Sequence, residues 1–208
     1  HTKTTRLIDL LAHTHVNMIR VWGGGTYEDD HFYNRCDQLG ILVWQDFMFA
    51  SACYPDYEGF SEQISREAQA VILRLRNHPC LTVWCGNSHI DSLCQSGKIA
   101  RNKKSAVKEL FTQLLPDLLT ELNPDCDYIP SAPEPHLPGK TRAIADIWQS
   151  WNEYKSMDAW RQEPLPPFVV ETGFQSLPSL ETLRIACPAE DLVLAGPGVE
   201  KLNYHTQG

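Results

Sequence analysis

The chain has 208 residues, with 18 Lys+Arg against 26 Asp+Glu for a net charge of −8, 42% hydrophobic and 21% charged residues. That composition is globular, which excludes a disordered, collagen-like or low-complexity chain, and the length allows roughly two thirds of the unfolded surface to be buried. The acidic balance and the lack of any run of five basic residues argue against a nucleic-acid partner. No segment approaches the roughly 18 apolar residues of a membrane span, so no membrane partner is expected.

In chain order, apolar runs rich in Val, Ile and Trp alternate with stretches at helical spacing. Leu7, Leu10 and Leu11 mark a first helix, followed by a strand at residues 17–22. Phe32, Tyr33, Cys36 and Leu39 mark a second helix that stops at Gly40, before a strand at 41–47. Ile64, Ala68, Val71, Ile72 and Leu75 form a third apolar stripe, leading to a strand at Leu81–Cys85. Val107, Leu110, Phe111, Leu114, Leu115, Leu118 and Leu119 form a fourth helix kinked at Pro116. Strands are then expected at 127–131, 143–148 and 168–172, with loops at 131–139 and 164–167. From Pro188 the chain turns polar and turn-rich, an irregular C-terminal segment at 188–208.

Strand and helix in alternation require a parallel sheet, either doubly wound or closed as a (β/α)₈ TIM-barrel-like fold. Gly23, Gly24 and Gly25 follow the first strand without a GxGxxG pattern, and the Tyr27-Glu28-Asp29-Asp30 run that comes next would repel a phosphate. The barrel is favoured because polar and aromatic residues end nearly every strand: Arg20 and Trp22, Gln45 and Asp46, Asn87, Ser131, Trp148 and Glu171. In a barrel those ends share one mouth.

The seven cysteines are thinly spread and odd in number, which speaks for free thiols in a reducing, cytoplasmic compartment. His78, Cys80, Cys85, His89 and Cys94 crowd one stretch, but their spacing matches no structural zinc pattern, so no metal and no cofactor are expected. Ser88 and His89 are not read as a hydrolytic pair: neighbours at a strand end point to opposite sides, and a GxSxG elbow is missing.

Six segments carry a family resemblance: VNMIRVWGGG at 16–25, YEDD at 27–30, LGILVWQDFMFA at 39–50, RNHP at 76–79, WCGN at 84–87 and FVVETGFQSLPS at 168–179. Together and in this order they closely resemble the β-mannosidases of glycoside hydrolase family 2. The resemblance implies a (β/α)₈ catalytic barrel domain beginning before its second strand and ending after its seventh. The first and last strands are then missing, residues 1–208 form one partial barrel domain, and other domains or a homo-oligomer would cover its open edges.

The resemblance also assigns roles. Retaining glycosidases need two carboxyls about 5–5.5 Å apart, a nucleophile and a proton donor. Glu171 matches the nucleophile. At the acid/base position the family has Gly-Asn-Asn-Glu, whereas this chain reads Gly86-Asn87-Ser88-His89, so His89 stands where the proton donor belongs and Ser88 where an Asn meets the sugar 2-hydroxyl. Trp22, Asp46, Trp84 and Asn87 match pocket positions, and Trp148 falls near an aglycone-side segment. A histidine titrating near ~6.5 can donate a proton, but its charge disfavours an oxocarbenium-like transition state. The expected activity is impaired hydrolysis of terminal β-D-mannosyl groups; the alternative is a pseudoenzyme that binds carbohydrate or plays a structural part.

Overall fold

The first apolar runs form parallel strands because the helix after each carries the chain back along the sheet before the next strand begins. The computed structural model describes residues 2–55, 57–95, 108–134, 144–146, 168–171, 179–189 and 192. Helix α1 (Thr2–His13) leads to β1 (Met18–Val21), α2 (Asp30–Leu39) to β2 (Leu42–Asp46), and α3 (Phe60–Leu75) to β3 (Leu81–Cys85). After α4 (Ile90–Gln95), a π-helical stretch at Leu110–Leu114 runs into α5 (Leu115–Leu122) and then β4 (Asp127–Ile129). These four strands pair in the order β1-β2-β3-β4, all parallel. Strands β5 (Ile144–Asp146) and β6 (Phe168–Glu171) form a separate parallel pair. The expected strands are all present: β3 has the expected bounds, and β1, β2 and β4 are shorter at their ends; Val107, Ala143, Trp148, Thr172 and the loop at 164–167 lie outside the described residues.

Two local signals act as the sequence implied. Gly40 is left-handed at φ 68°, its N–H bonding the Asp37 carbonyl while Ile41 N–H reaches back to Cys36, the paired bonds of a Schellman end. The fourth helix does break near Pro116, as a slip in hydrogen-bond register: Leu115 N–H donates to Leu110 five residues back, just before the residue with no N–H to give. The Tyr27–Asp30 stretch gains a structural purpose, since the Asp29 carboxylate caps α2 by accepting from Phe32 N–H at 3.1 Å.

Period-two alternation divides the sheet's side chains between two faces. Val21, Gln45, Trp84 and Tyr128 are neighbours in register and face the helices. There they join the larger core, with Ile8, Tyr33, Val43, Phe47, Ile72, Leu75 and Leu115 all buried. The polar atoms of this row are matched one by one: Tyr33 Oη with Gln45 Oε1 at 2.5 Å, Trp84 Nε1 with Asn123 Oδ1 at 3.0 Å, and Tyr128 Oη with the Phe111 carbonyl at 2.7 Å. On the opposite face Trp44, Cys85 and Ala132 gather Met18, Val83, Ile129 and Val170. Phe168 stacks on Trp44 with ring centroids 5.4 Å apart, so β6 covers the inner face of the four-stranded sheet.

Residues 147–162 and 172–208 form a second compact unit. Its described part is α6 (Leu180–Ala186), capped by Ser179 Oγ accepting from Thr182 N–H at 3.2 Å, with Leu183 and Cys187 buried beside Leu192. Of the segment at 188–208, only residues 188, 189 and 192 are described.

At the N-terminal end of β3, His78 Nδ1 lies 2.6 Å from Asp37 Oδ2, and Cys80 N–H donates to Asp37 Oδ1 at 2.8 Å. Burial alone would raise the Asp37 pKa; the bonds from Cys80 and His78 outweigh it, and the value falls below the ordinary 3.8. The unfolded chain therefore takes up this proton first, so the stability Asp37 provides is complete above about pH 4 and is lost as the pH falls through the lower folded value. Between pH 5 and pH 3 the urea midpoint of the wild type should drop further than that of Asp37→Asn; equal drops would refute the linkage. A Cβ at Gly40 meets nothing within 4 Å, so Gly40→Ala isolates the backbone cost of the left-handed conformation. Chemical denaturation should register a loss of about 1–2 kcal/mol, with Gly40→Asn losing less.

Candidate functional site

The C-terminal strand ends bring together Arg20 from β1, Asp46 from β2, the Asn87-Ser88-His89 turn after β3, Ser131 after β4 and Glu171 from β6. Arg20 sits between two carboxylates. Its Nε and Nη2 donate to the two oxygens of Asp46 at 3.2 and 2.8 Å, and its Nη1 donates to Glu171 Oε1 at 2.8 Å. Asp46 is fully buried and also accepts from Trp44 Nε1 at 2.8 Å and Gly23 N–H at 3.0 Å. Burial by itself would lower the Arg20 pKa, but the Asp46 charge and hydrogen bonds, with Glu171 and Cys85 adding to them, carry it above the ordinary value. Among the described residues, one guanidinium thus faces two carboxylates.

The glycine turn makes the Asp46 contact possible. A Cβ on Gly23 would stand 2.6 Å from the Phe47 carbonyl and 2.8 Å from that of Phe49, so only glycine brings this N–H so close to the end of β2. The next residue, Gly24, lies against the Trp22 ring, where a Cβ would collide with the indole. Trp22 is 48% exposed, with its Nε1 donating to Ser88 Oγ at 2.9 Å.

Ser88 and His89 meet, contrary to the expectation that neighbours diverge. His89 takes a left-handed φ of 65°, which folds its ring back until Nδ1 is 2.9 Å from Ser88 Oγ. The backbone there is pinned on both sides: Ser88 N–H donates to Phe49, Ser51 N–H to Ser88, His89 N–H to Ala132 and Ala132 N–H to Asn87. Ser88 thus bridges Ala50 and Ala132 in parallel fashion, extending the sheet past its formal ends.

Four expected residues have other employment. Trp84 is on the helix-facing row, fully buried and stacked on Phe47 at 4.9 Å, which puts its ring in the core and not at the mouth. Gln45 lies in that row too, bound to Tyr33. Asn87 is fully buried: its Nδ2 donates to the Pro130 carbonyl at 2.9 Å, and its Oδ1 accepts from Ile90 N–H and Ser131 Oγ, both at 3.1 Å. It ties β3 to β4 and starts α4. Asp46, with four donors on its two oxygens, serves as the anchor of Arg20. Trp148 lies outside the described residues.

Arg20 was visible at a strand end, yet its part in holding Glu171 was not. The available signal is alternation: it lies two residues from Met18 on the inner face, and an inward arginine needs a carboxylate. Asp91, in the first turn of α4, faces away toward Ser131 and a cavity of about 440 Å³ that Lys108, Thr112 and Glu134 also line. Burial raises its pKa, with the Ser131 hydrogen bond and Lys108 pulling the other way. The candidate zinc residues do not converge: His78 pairs with Asp37, Cys80 lies against the Tyr33 carbonyl and Cys85 against that of Asn87. Among the described residues no three potential metal ligands cluster.

No protein-family model matches the chain. It is 34% identical over 196 residues to β-mannosidase B of Aspergillus clavatus, covering 85% of this chain and 22% of that protein. It is 32% identical over 204 residues to the β-mannosidase of Bos taurus, covering 89% of this chain and 23% of that protein. Among solved structures, β-D-mannosidase from Dictyoglomus thermophilum superposes with a TM-score of 0.76 and 37% identity, over 89% of this chain and 23% of that one. The chain thus spans under a quarter of the length of these relatives, and over that span it belongs to the β-mannosidase family.

Proposed function

We propose that this chain is the part of a (β/α)₈ glycosidase barrel that carries the nucleophile for retaining cleavage of terminal β-D-mannosyl groups, with Glu171 as that nucleophile and an impaired acid/base position at His89. The observation that carries the reading is the Arg20 fork. It holds the Glu171 carboxylate at a strand end, and two residues beyond Arg20 the half-exposed Trp22 ring offers a surface on which a sugar can stack. The kinship with named β-mannosidases supports the sugar and the bond.

In the first step a Glu171 oxygen bonds to the anomeric carbon as the glycosidic C–O bond breaks, and the leaving oxygen takes the electron pair. A poor leaving group needs a proton at that moment. Without a carboxylic acid to supply it, the loss is about 10²- to 10⁴-fold in rate. A dinitrophenolate departs without help, so it reaches the glycosyl-enzyme on Glu171 alone. Water must then attack the anomeric carbon without a general base, whereas azide, already an anion, needs none.

With the protein as encoded by its full reading frame, 2,4-dinitrophenyl β-mannoside should give a burst of phenolate, and azide should accelerate turnover and yield β-mannosyl azide. Unactivated β-mannosides should be slow, His89→Glu should speed their hydrolysis by at least tenfold, and Glu171→Gln should abolish the burst. Absence of a burst from both the wild type and His89→Glu would sink the hydrolytic reading. Mannose-binding heat persisting in Glu171→Gln alongside that absence would instead establish a carbohydrate-binding pseudoenzyme.

A further inference from the structure

We propose that Ser88 is a positioning residue that acts through Trp22: its buried hydroxyl tethers the indole across the end of β2 and so fixes the aromatic surface on which a pyranose ring stacks. The sugar rests on the proposed function; the tether rests only on the contacts of Trp22, Gly24 and Ser88.

The indole nitrogen has a hydrogen and no acceptor lone pair, so in its 2.9 Å contact with Ser88 Oγ it donates. Trp22 follows β1, Ser88 follows β3, and β2 is paired between those strands. Two strand spacings are roughly 9–10 Å, well beyond the reach of a serine, so the indole supplies most of the span and lies across the C-terminal end of β2. At its other end the six-membered ring rests against Gly24, where a Cβ would collide with Cη2 and Cζ3. The ring is thus held at the nitrogen by a hydrogen bond and at the far edge by a glycine.

Ser88 is built to be the fixed partner. It is fully buried, its N–H donates to the Phe49 carbonyl, and its own carbonyl accepts from Ser51 N–H. It also bridges Ala50 on one side and Ala132 on the other. A residue bound in this way cannot follow a moving side chain, so the indole conforms to the serine. Trp22 itself is 48% exposed, and packing covers too little of it to select one rotamer.

Period two puts Trp22 on the row of Met18 and Arg20, the face on which Arg20 holds Glu171. A sugar arriving at Glu171 then meets a ring whose orientation is already set, and the cost of ordering it does not fall on binding. The resemblance to the family gives position 88 a direct contact with the sugar 2-hydroxyl. Here the Ser88 hydroxyl is covered by protein and affects the sugar through the ring.

The Trp22 Nε1–H reports the tether without any turnover. In ¹H–¹⁵N spectra of the protein from its full reading frame, this signal is identified by its loss in Trp22→Phe. It should exchange slowly with water, and Ser88→Ala should move it upfield and speed its exchange. Free exchange in the wild type, or a signal unmoved by Ser88→Ala, overturns the tether. Calorimetry with methyl β-mannoside then closes a double-mutant cycle. Ser88→Ala should bind about threefold to tenfold more weakly than the wild type, the worth of one neutral hydrogen bond, and should cost nothing further in the Trp22→Phe background. Equal losses in both backgrounds overturn the route through Trp22, and unchanged affinity in Ser88→Ala overturns the positioning role. If Ser88→Ala does not fold, Ser88→Cys, close in size and a weak acceptor, replaces it in both measurements. Absence of binding in every form overturns the sugar platform, while the Glu171 burst judges the hydrolytic reading separately.

Discussion

Arg20 is the constraint on which the strand-end geometry depends. A guanidinium that is largely withdrawn from water must be matched, and here Asp46 matches it through two parallel bonds while Trp44 and Gly23 fill the remaining acceptor sites on Asp46. The third arm, Nη1, is then directed at β6 and meets Glu171. Losing either partner of a buried pair strands the other's charge, at a cost of about 3–5 kcal/mol, far more than an exposed ion pair is worth. The cluster thus joins two sheets that share no backbone ladder, with Phe168 on Trp44 and Val170 among the inner-face residues completing the contact.

The parallel α/β plan was legible because the helices announce themselves at both ends and along one stripe. The spacing of Ile64, Ala68, Val71, Ile72 and Leu75, and the glycine at position 40, act through local geometry, which a sequence displays directly. Which face of each strand is which was not legible. Strands covered on both sides read as continuous apolar runs, so VWQD and VWC give no sign of whether Trp44 or Trp84 points inward. Register settles it: Asp46 stands opposite Cys85, and Gln45 opposite Trp84. That one-residue offset sends Trp84 and Gln45 to the helices and keeps Trp44 and Asp46 within.

Glu171 and the Ser88-His89 pair differ in the same respect. Glu171 was placed by its strand and its flanking segment, and it lies at a strand end bonded to a neighbour that alternation allows. Ser88 and His89 were expected to diverge because ordinary extended backbone sends successive side chains to opposite sides. A positive φ at a residue other than glycine cancels that rule, and it is set by tertiary bonds to Phe49 and Ala132 that lie 39 and 43 residues away in the chain. The structural part of Asn87 was not legible for a related reason: its amide is bound by Pro130 and Ser131, contacts that exist only once β4 is beside β3, as well as by Ile90.

On the proposed reading, a histidine in place of a carboxylic acid slows the step that needs a proton. The general acid is worth about 10²- to 10⁴-fold, or roughly 3–5 kcal/mol of barrier, for a leaving group that departs poorly on its own. The anchoring of Glu171 involves Arg20, Asp46, Trp44 and Gly23, none of which bonds to His89 in the contacts described. On this reading, what a change at the acid/base position alters is the dependence on leaving group. Trp22 joins the two ends of the site: its N–H serves Ser88, and the N–H of the next residue serves Asp46.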